Sequence, residues 1–129
     1  MTPSEYQNPI LCADYSDPDI VRVGDDFFMV SSSFNHVPAL PILHSTDLVN
    51  WTIINHVMDE LPLPGYDRYQ PGKGVWAPSI RWHDGKLWVC FSTPDEGIFI
   101  CHTEDPWGEW SAPHCLREAR GWIDPCPFW

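Results

Sequence analysis

The sequence predicts an all-β fold, and three observations carry that prediction. Short apolar or alternating runs are punctuated by turn residues, no window shows a helical stripe, and one hairpin-containing stretch recurs along the chain. Fourteen prolines point the same way, because each removes a backbone donor and fixes φ, which is hostile to long helices.

The first element is a hairpin. Residues 20–23 run apolar and alternating into Gly24-Asp25-Asp26, and residues 27–32 follow, so the pattern reads strand, tight turn, strand. Next comes Ile42-Leu43-His44-Ser45-Thr46-Asp47, closed by Trp51. Residues 58–74, rich in Pro, Gly and Tyr, form a long connection, which is either an ordinary link or a functional loop. The second hairpin is residues 79–82, His83-Asp84-Gly85-Lys86 and residues 87–93, with Asp84-Gly85 as its turn signal. Ile100-Cys101-His102-Thr103-Glu104-Asp105 and Trp110 then repeat the earlier ending.

These pieces align as a repeat. Asp17-Pro18-Asp19-Ile20 opens the first copy, Ala77-Pro78-Ser79-Ile80 the second, and Asp124-Pro125-Cys126-Pro127 starts a third register. Each copy holds about four strands, the content of one β-propeller blade of roughly 40–50 residues. A duplicated sandwich is the alternative, and the third register favours the propeller. Closed propellers need roughly four to eight blades. Residues 1–129 are therefore expected to be the N-terminal part of a larger domain: two blades and the start of a third, with a strand over residues 125–129, marginally folded alone.

Composition bounds the function. The chain has 129 residues, 43% of them apolar, and no apolar run long enough to cross a membrane. Eighteen Asp and Glu against seven Lys and Arg give a net charge of −11. That excludes most readers of nucleic acid and argues against anionic membranes, while a neutral ligand such as a sugar remains compatible. Eight tryptophans suit a filled core or the stacking of flat ligand faces. The five cysteines (12, 90, 101, 115 and 126) show no metal-type spacing, and Cys90 and Cys101 read as small core residues. No basic, apolar leader precedes residue 11, so a reduced, cytoplasmic setting is expected.

The residues that open the three copies, Asp17, Ala77 and Asp124, should converge about one axis. Two are carboxylates, and paired carboxylates around a pocket are the apparatus of glycoside hydrolysis. An Asp before Pro is also a common turn residue. Asp19 is expected to cap its turn. Asp25, Asp26 and Asp84 are expected in hairpin turns, Asp47 and Asp105 to bind backbone in outer turns, and His44 and His102 to pack and hydrogen-bond. Glu60 and Glu96 read as solvated loop residues.

Several stretches together resemble glycoside hydrolase family 43. The first runs from Tyr15-Ser16-Asp17-Pro18-Asp19-Ile20 to Gly24-Asp25-Asp26-Phe27-Phe28, after Asn8-Pro9-Ile10. Ser31-Ser32-Ser33-Phe34 and Leu40-Pro41-Ile42-Leu43-His44-Ser45-Thr46-Asp47 through Trp51 match the family's first-blade ending. Gly74-Val75-Trp76-Ala77-Pro78-Ser79-Ile80 matches its second blade, and Gly121-Trp122-Ile123-Asp124-Pro125 its third.

The resemblance implies a five-bladed propeller and an inverting β-xylosidase or α-L-arabinofuranosidase acting on small oligosaccharides from xylan or arabinan. It implies Asp17 as general base and Asp124 as the auxiliary carboxylate that raises the pKa of the general acid and orients it. Phe34 and Trp76, with Ala77 beside them, would wall the terminal-sugar pocket. The family's general acid, a glutamate, falls beyond Trp129, so residues 1–129 alone are expected to be inactive. No cofactor is expected of this stretch, although some family members hold a central metal ion through later residues. Cys126 stands where the family usually has Ser. The alternatives are a non-catalytic sugar-binding propeller, a retaining fructosidase (for which Asp19 is the wrong residue after Pro18) and a ring closed by oligomerisation.

Overall fold

The computed structural model describes residues 5–129. Eight strands run in chain order: β1 Asp19–Val23, β2 Asp26–Val30, β3 Ala39–Ser45, β4 Thr52–Met58, β5 Trp76–His83, β6 Lys86–Thr93, β7 Gly97–Thr103 and β8 His114–Glu118. They form two four-stranded antiparallel sheets, ordered β1-β2-β3-β4 and β5-β6-β7-β8. No helix occurs among the described residues.

Local chemistry sets each hairpin. In the first, Gly24 supplies the positive φ (64°) between Val23 and Asp26, which pair directly. In the second, Asp84 (49°) and Gly85 (75°) both lie in the left-handed region, as a type I′ turn requires. Asp26 sits in strand β2, one residue past the turn, where its carboxylate meets His44 Nε2 at 2.6 Å.

The core lies between the sheets. Val30, Leu40, Ile42, Val75, Ile80, Leu87, Val89 and Phe91 are fully buried in one cluster. Cys90 and Cys101 are buried with free thiols; burial pushes them up to about 11 and about 12, so both are neutral apolar fillers. Trp107, from the outer turn of the second sheet, packs edge-on against Phe28 at 5.6 Å and against His44 at 5.2 Å. Asn55 Nδ2 anchors the same turn by donating to Pro106 O and Gly108 O. On the second sheet Trp88 packs on His102 at 4.7 Å and meets Trp129 at 5.7 Å, and Trp129 also stacks on His83 at 4.4 Å.

The inner strands β1 and β5 lie side by side. Asp19 fastens them: its Oδ2 accepts from Ile80 N at 2.8 Å and from Arg81 Nη1 at 2.5 Å. The expected turn cap is thus a clamp between sheets. Ser79, the repeat equivalent of Asp19, also reaches forward, donating to Pro125 O at 2.7 Å. The expected strand over residues 125–129 does not form. Pro125 and Pro127 offer no N–H, and the segment meets β5 through the side chains of Ser79, Arg81 and His83 and not through a backbone ladder.

Candidate active site

Antiparallel pairing brings the start of β1, the end of β2 and the start of β5 to one end of the two sheets. Sequence reasoning placed Asp17, Phe34, Trp76 and Ala77 here, and the structure brings these four together.

A short bridge joins the sheets at this end. Ser33 N donates to Val75 O and Val75 N to Ser33 O, both at 2.9 Å, and Gly74 N donates to Phe34 O at 2.9 Å. The backbones approach so closely that a Cβ on Gly74 would lie 2.0 Å from Ser33 O, a distance no side chain tolerates. The bridge fixes Phe34 against Trp76, rings edge-to-face with centroids 5.7 Å apart. Trp76 Nε1 donates to Gly72 O at 3.0 Å, which holds the indole plane.

Asp17 and Ala77 enter their sheets through the same strained backbone. Each precedes a proline and each has positive φ, 50° and 33°; Asp124 shares the feature at 56°. For residues with a Cβ this conformation costs about 1–3 kcal/mol and persists only where surrounding contacts enforce it. Ser32 supplies such contacts. Its hydroxyl donates to Asp17 Oδ2 at 2.8 Å and accepts from Ala77 N at 2.9 Å, while its own N–H donates to Ser16 O at 3.0 Å. Ser32 was missed in the sequence, although its position opposite Ser92 in the repeat was a usable signal. Asp17 itself is exposed to solvent.

Asp124 is also exposed, and only its neighbours are fastened: Pro125 O to Ser79 Oγ, and Cys126 Sγ to Arg81 Nη2 at 3.0 Å. No hydrogen bond joins Asp124 to Asp17.

A cavity of about 250 Å³ opens beside the site, lined by Phe34, His36, Tyr66, Arg68, Tyr69 and Gln70 among others. Asp17, Trp76 and Asp124 lie outside its lining. The 59–75 connection that forms one wall is tied down. The single Tyr66 Oη proton is shared between Glu96 Oε2 at 3.0 Å and Lys73 O at 3.2 Å, and Gly72 N donates to Asn35 Oδ1 at 2.6 Å. Burial, reinforced by the Glu96 carboxylate, pushes the Tyr66 phenol well above its usual range. Glu96, expected to be solvated, is therefore half-buried and bonded. Among the described residues no group of three or more His, Cys, Asp or Glu side chains is disposed to hold a metal ion. Chemically, the assembly is an exposed carboxylate held by a buried hydroxyl beside two aromatic walls, which suits an uncharged ligand with flat apolar faces.

Comparison with known proteins points to a family of sugar-cleaving enzymes. A model of glycosyl hydrolases family 43 matches residues 6–129. A putative beta-xylosidase of Xylanibacter ruminicola is 41% identical over 125 residues, an alignment covering 96% of this chain and 23% of that protein. A non-reducing end alpha-L-arabinofuranosidase of Bacteroides ovatus is 38% identical over 127 residues, with 93% and 23% coverage. The crystal structure of a family 43 protein from Bacillus licheniformis superposes with a TM-score of 0.82 at 32% identity, covering 93% of this chain and 26% of that one. The chain thus spans about a quarter of the length of the relatives it matches.

Proposed function

The chain belongs to glycosyl hydrolases family 43, and from that premise we propose that the whole protein is an inverting glycosidase releasing terminal xylose or arabinose from xylan- or arabinan-derived oligosaccharides. The two sheets are then the first two blades of a five-bladed ring whose third opens at Asp124. Asp17 is the general base. Its carboxylate takes a proton from water as that water attacks the anomeric carbon. The glycosidic oxygen leaves with a proton from a general acid outside residues 1–129. Base and acid stand about 6.5–9.5 Å apart in inverting enzymes, which leaves room for the water. Asp124, across the site, holds that acid in its protonated form and orients it. Phe34 and Trp76 wall the sugar ring, and Ala77 leaves room beside them that a larger residue would fill.

The observation that carries this reading is the fixed Asp17 carboxylate beside the Phe34–Trp76 corner. The names of the relatives, beta-xylosidase and alpha-L-arabinofuranosidase, support the two sugars. Hydrolysis of an aryl β-xyloside and an aryl α-L-arabinofuranoside, followed by proton NMR, tests it. The first sugar released is expected to be the opposite anomer to the substrate. Retention contradicts the single displacement, and binding without hydrolysis contradicts the enzyme reading.

A further inference from the structure

Ser32 is buried, with 4% of its surface exposed, two residues past the end of strand β2, and among the described residues its hydroxyl is the one hydrogen-bonded link between the exposed Asp17 carboxylate and the second sheet. A hydroxyl has one proton to give and lone pairs to receive. The Ala77 N–H comes to it as a donor, so the hydroxyl proton is directed at Asp17 Oδ2. That leaves Oδ1, which has no partner among the described residues, as the oxygen free to meet a water.

The second sheet provides an internal control. Ser92 follows Trp88 at the spacing with which Ser32 follows Phe28, and it too is fully buried. There the residue before the proline is Ala77, with no carboxylate, and the Ser92 hydroxyl reaches only Trp76 O at 3.5 Å. The same serine is thus well bonded where the sheet carries a carboxylate and barely bonded where it does not.

We propose that Ser32 is the positioning residue for the general base: it holds Oδ2 of Asp17 and locks that carboxylate to the strained backbone at Ala77, so that Oδ1 presents to the attacking water. This rests on the reading of Asp17 as base. Misplacement of a reacting group by about 1 Å costs up to roughly 10²-fold in rate. Ser32→Ala in the whole protein is therefore expected to lower kcat on an activated aryl β-xyloside about 10- to 100-fold with KM within about threefold, and Ser32→Thr to recover most of the loss. The loss should vanish in an Asp17→Asn background, because a group acting only through Asp17 has nothing left to position. Ser92→Ala should leave kcat within about twofold.

Each outcome decides something. A full effect of Asp17→Asn with wild-type kcat in Ser32→Ala overturns the positioning role and leaves the base standing. An equal Ser32→Ala loss in both backgrounds overturns it as well, since the damage is then to the junction. An inert Asp17→Asn removes the base and this role together. Ser32→Cys, similar in size with a weaker donor, covers an unfolded Ser32→Ala: about a tenfold fall in kcat at unchanged KM is expected, and wild-type kcat overturns the proposal.

Discussion

The first sheet is entered through Asp17 and the second through Ala77, on the same backbone: a residue of positive φ, a proline, then a side chain reaching forward to the next repeat. Strain, register and the buried serine recur in both, while the carboxylate occurs in one. The lesson is that the scaffold creates the unusual conformation wherever the repeat occurs, and a single side chain decides whether the position does chemistry. Strain at Asp17 is therefore not by itself a mark of catalysis, since Ala77 carries it with nothing to ionise. What sets Asp17 apart is its carboxylate and the hydrogen bond that carboxylate accepts from Ser32.

The largest effect on stability is expected where the two sheets meet. Gly74→Ala places a Cβ onto Ser33 O, so the Ser33–Val75 bridge must open. A loss of about 2–3 kcal/mol is expected in denaturant unfolding. Sugar affinity should fall as well, because the bridge sets Phe34 against Trp76. An unaffected midpoint shows that the sheets meet more loosely than described.

A smaller effect separates the outer turns. The Asp47 carboxylate accepts from Asn50 N (2.7 Å), Val49 N (2.9 Å), Asn50 Nδ2 (2.7 Å) and Ser45 Oγ (3.0 Å), whereas among the described residues the Asp105 carboxylate accepts from Trp107 N alone (3.0 Å). The Asn50 backbone N–H, then the Asn50 side chain and the Val49 N–H, hold the Asp47 carboxyl well below its ordinary value of 3.8. A depressed carboxylate contributes stability above its unfolded pKa and loses it as pH falls toward the folded one. Asp47→Ala should therefore lower Tm more than Asp105→Ala between pH 5 and pH 7. That gap should shrink below about pH 4. Equal Tm values at neutral pH contradict the difference between the turns.

The parts of the fold legible in the sequence were those fixed by local chemistry. Gly24 and the Asp84-Gly85 pair dictate their turns, and the repeat of Ile42–Asp47 as Ile100–Asp105 announces two equivalent sheets. Asp47 and Asp105 bind backbone as their turns demand, and His44 and His102 pack on aromatic faces. What stayed hidden depends on partners distant in sequence. Asp19 reads as a cap until β5 is laid beside β1, and then it clamps Ile80 and Arg81. Glu96 reads as solvated until the 59–75 connection brings Tyr66 to it. Ser32 is one of three consecutive serines, and only the register against Asp17 and Ala77 singles it out. At the candidate site, the x-Pro positions and the family resemblance pointed to Asp17, Phe34, Trp76 and Ala77. The hydrogen bonds and close contacts between the sheets explain how these residues meet.

The central claim is that the first sheet carries the base. Its most direct test is kcat/KM for an aryl β-xyloside in the whole protein with Asp17→Asn, a change that removes the charge and keeps the shape. Loss of a general base predicts a fall of roughly 10³-fold or more with the fold intact by circular dichroism. A fall of less than about tenfold in a folded variant contradicts the claim and leaves Asp17 as a turn residue, like Ala77 in the second sheet.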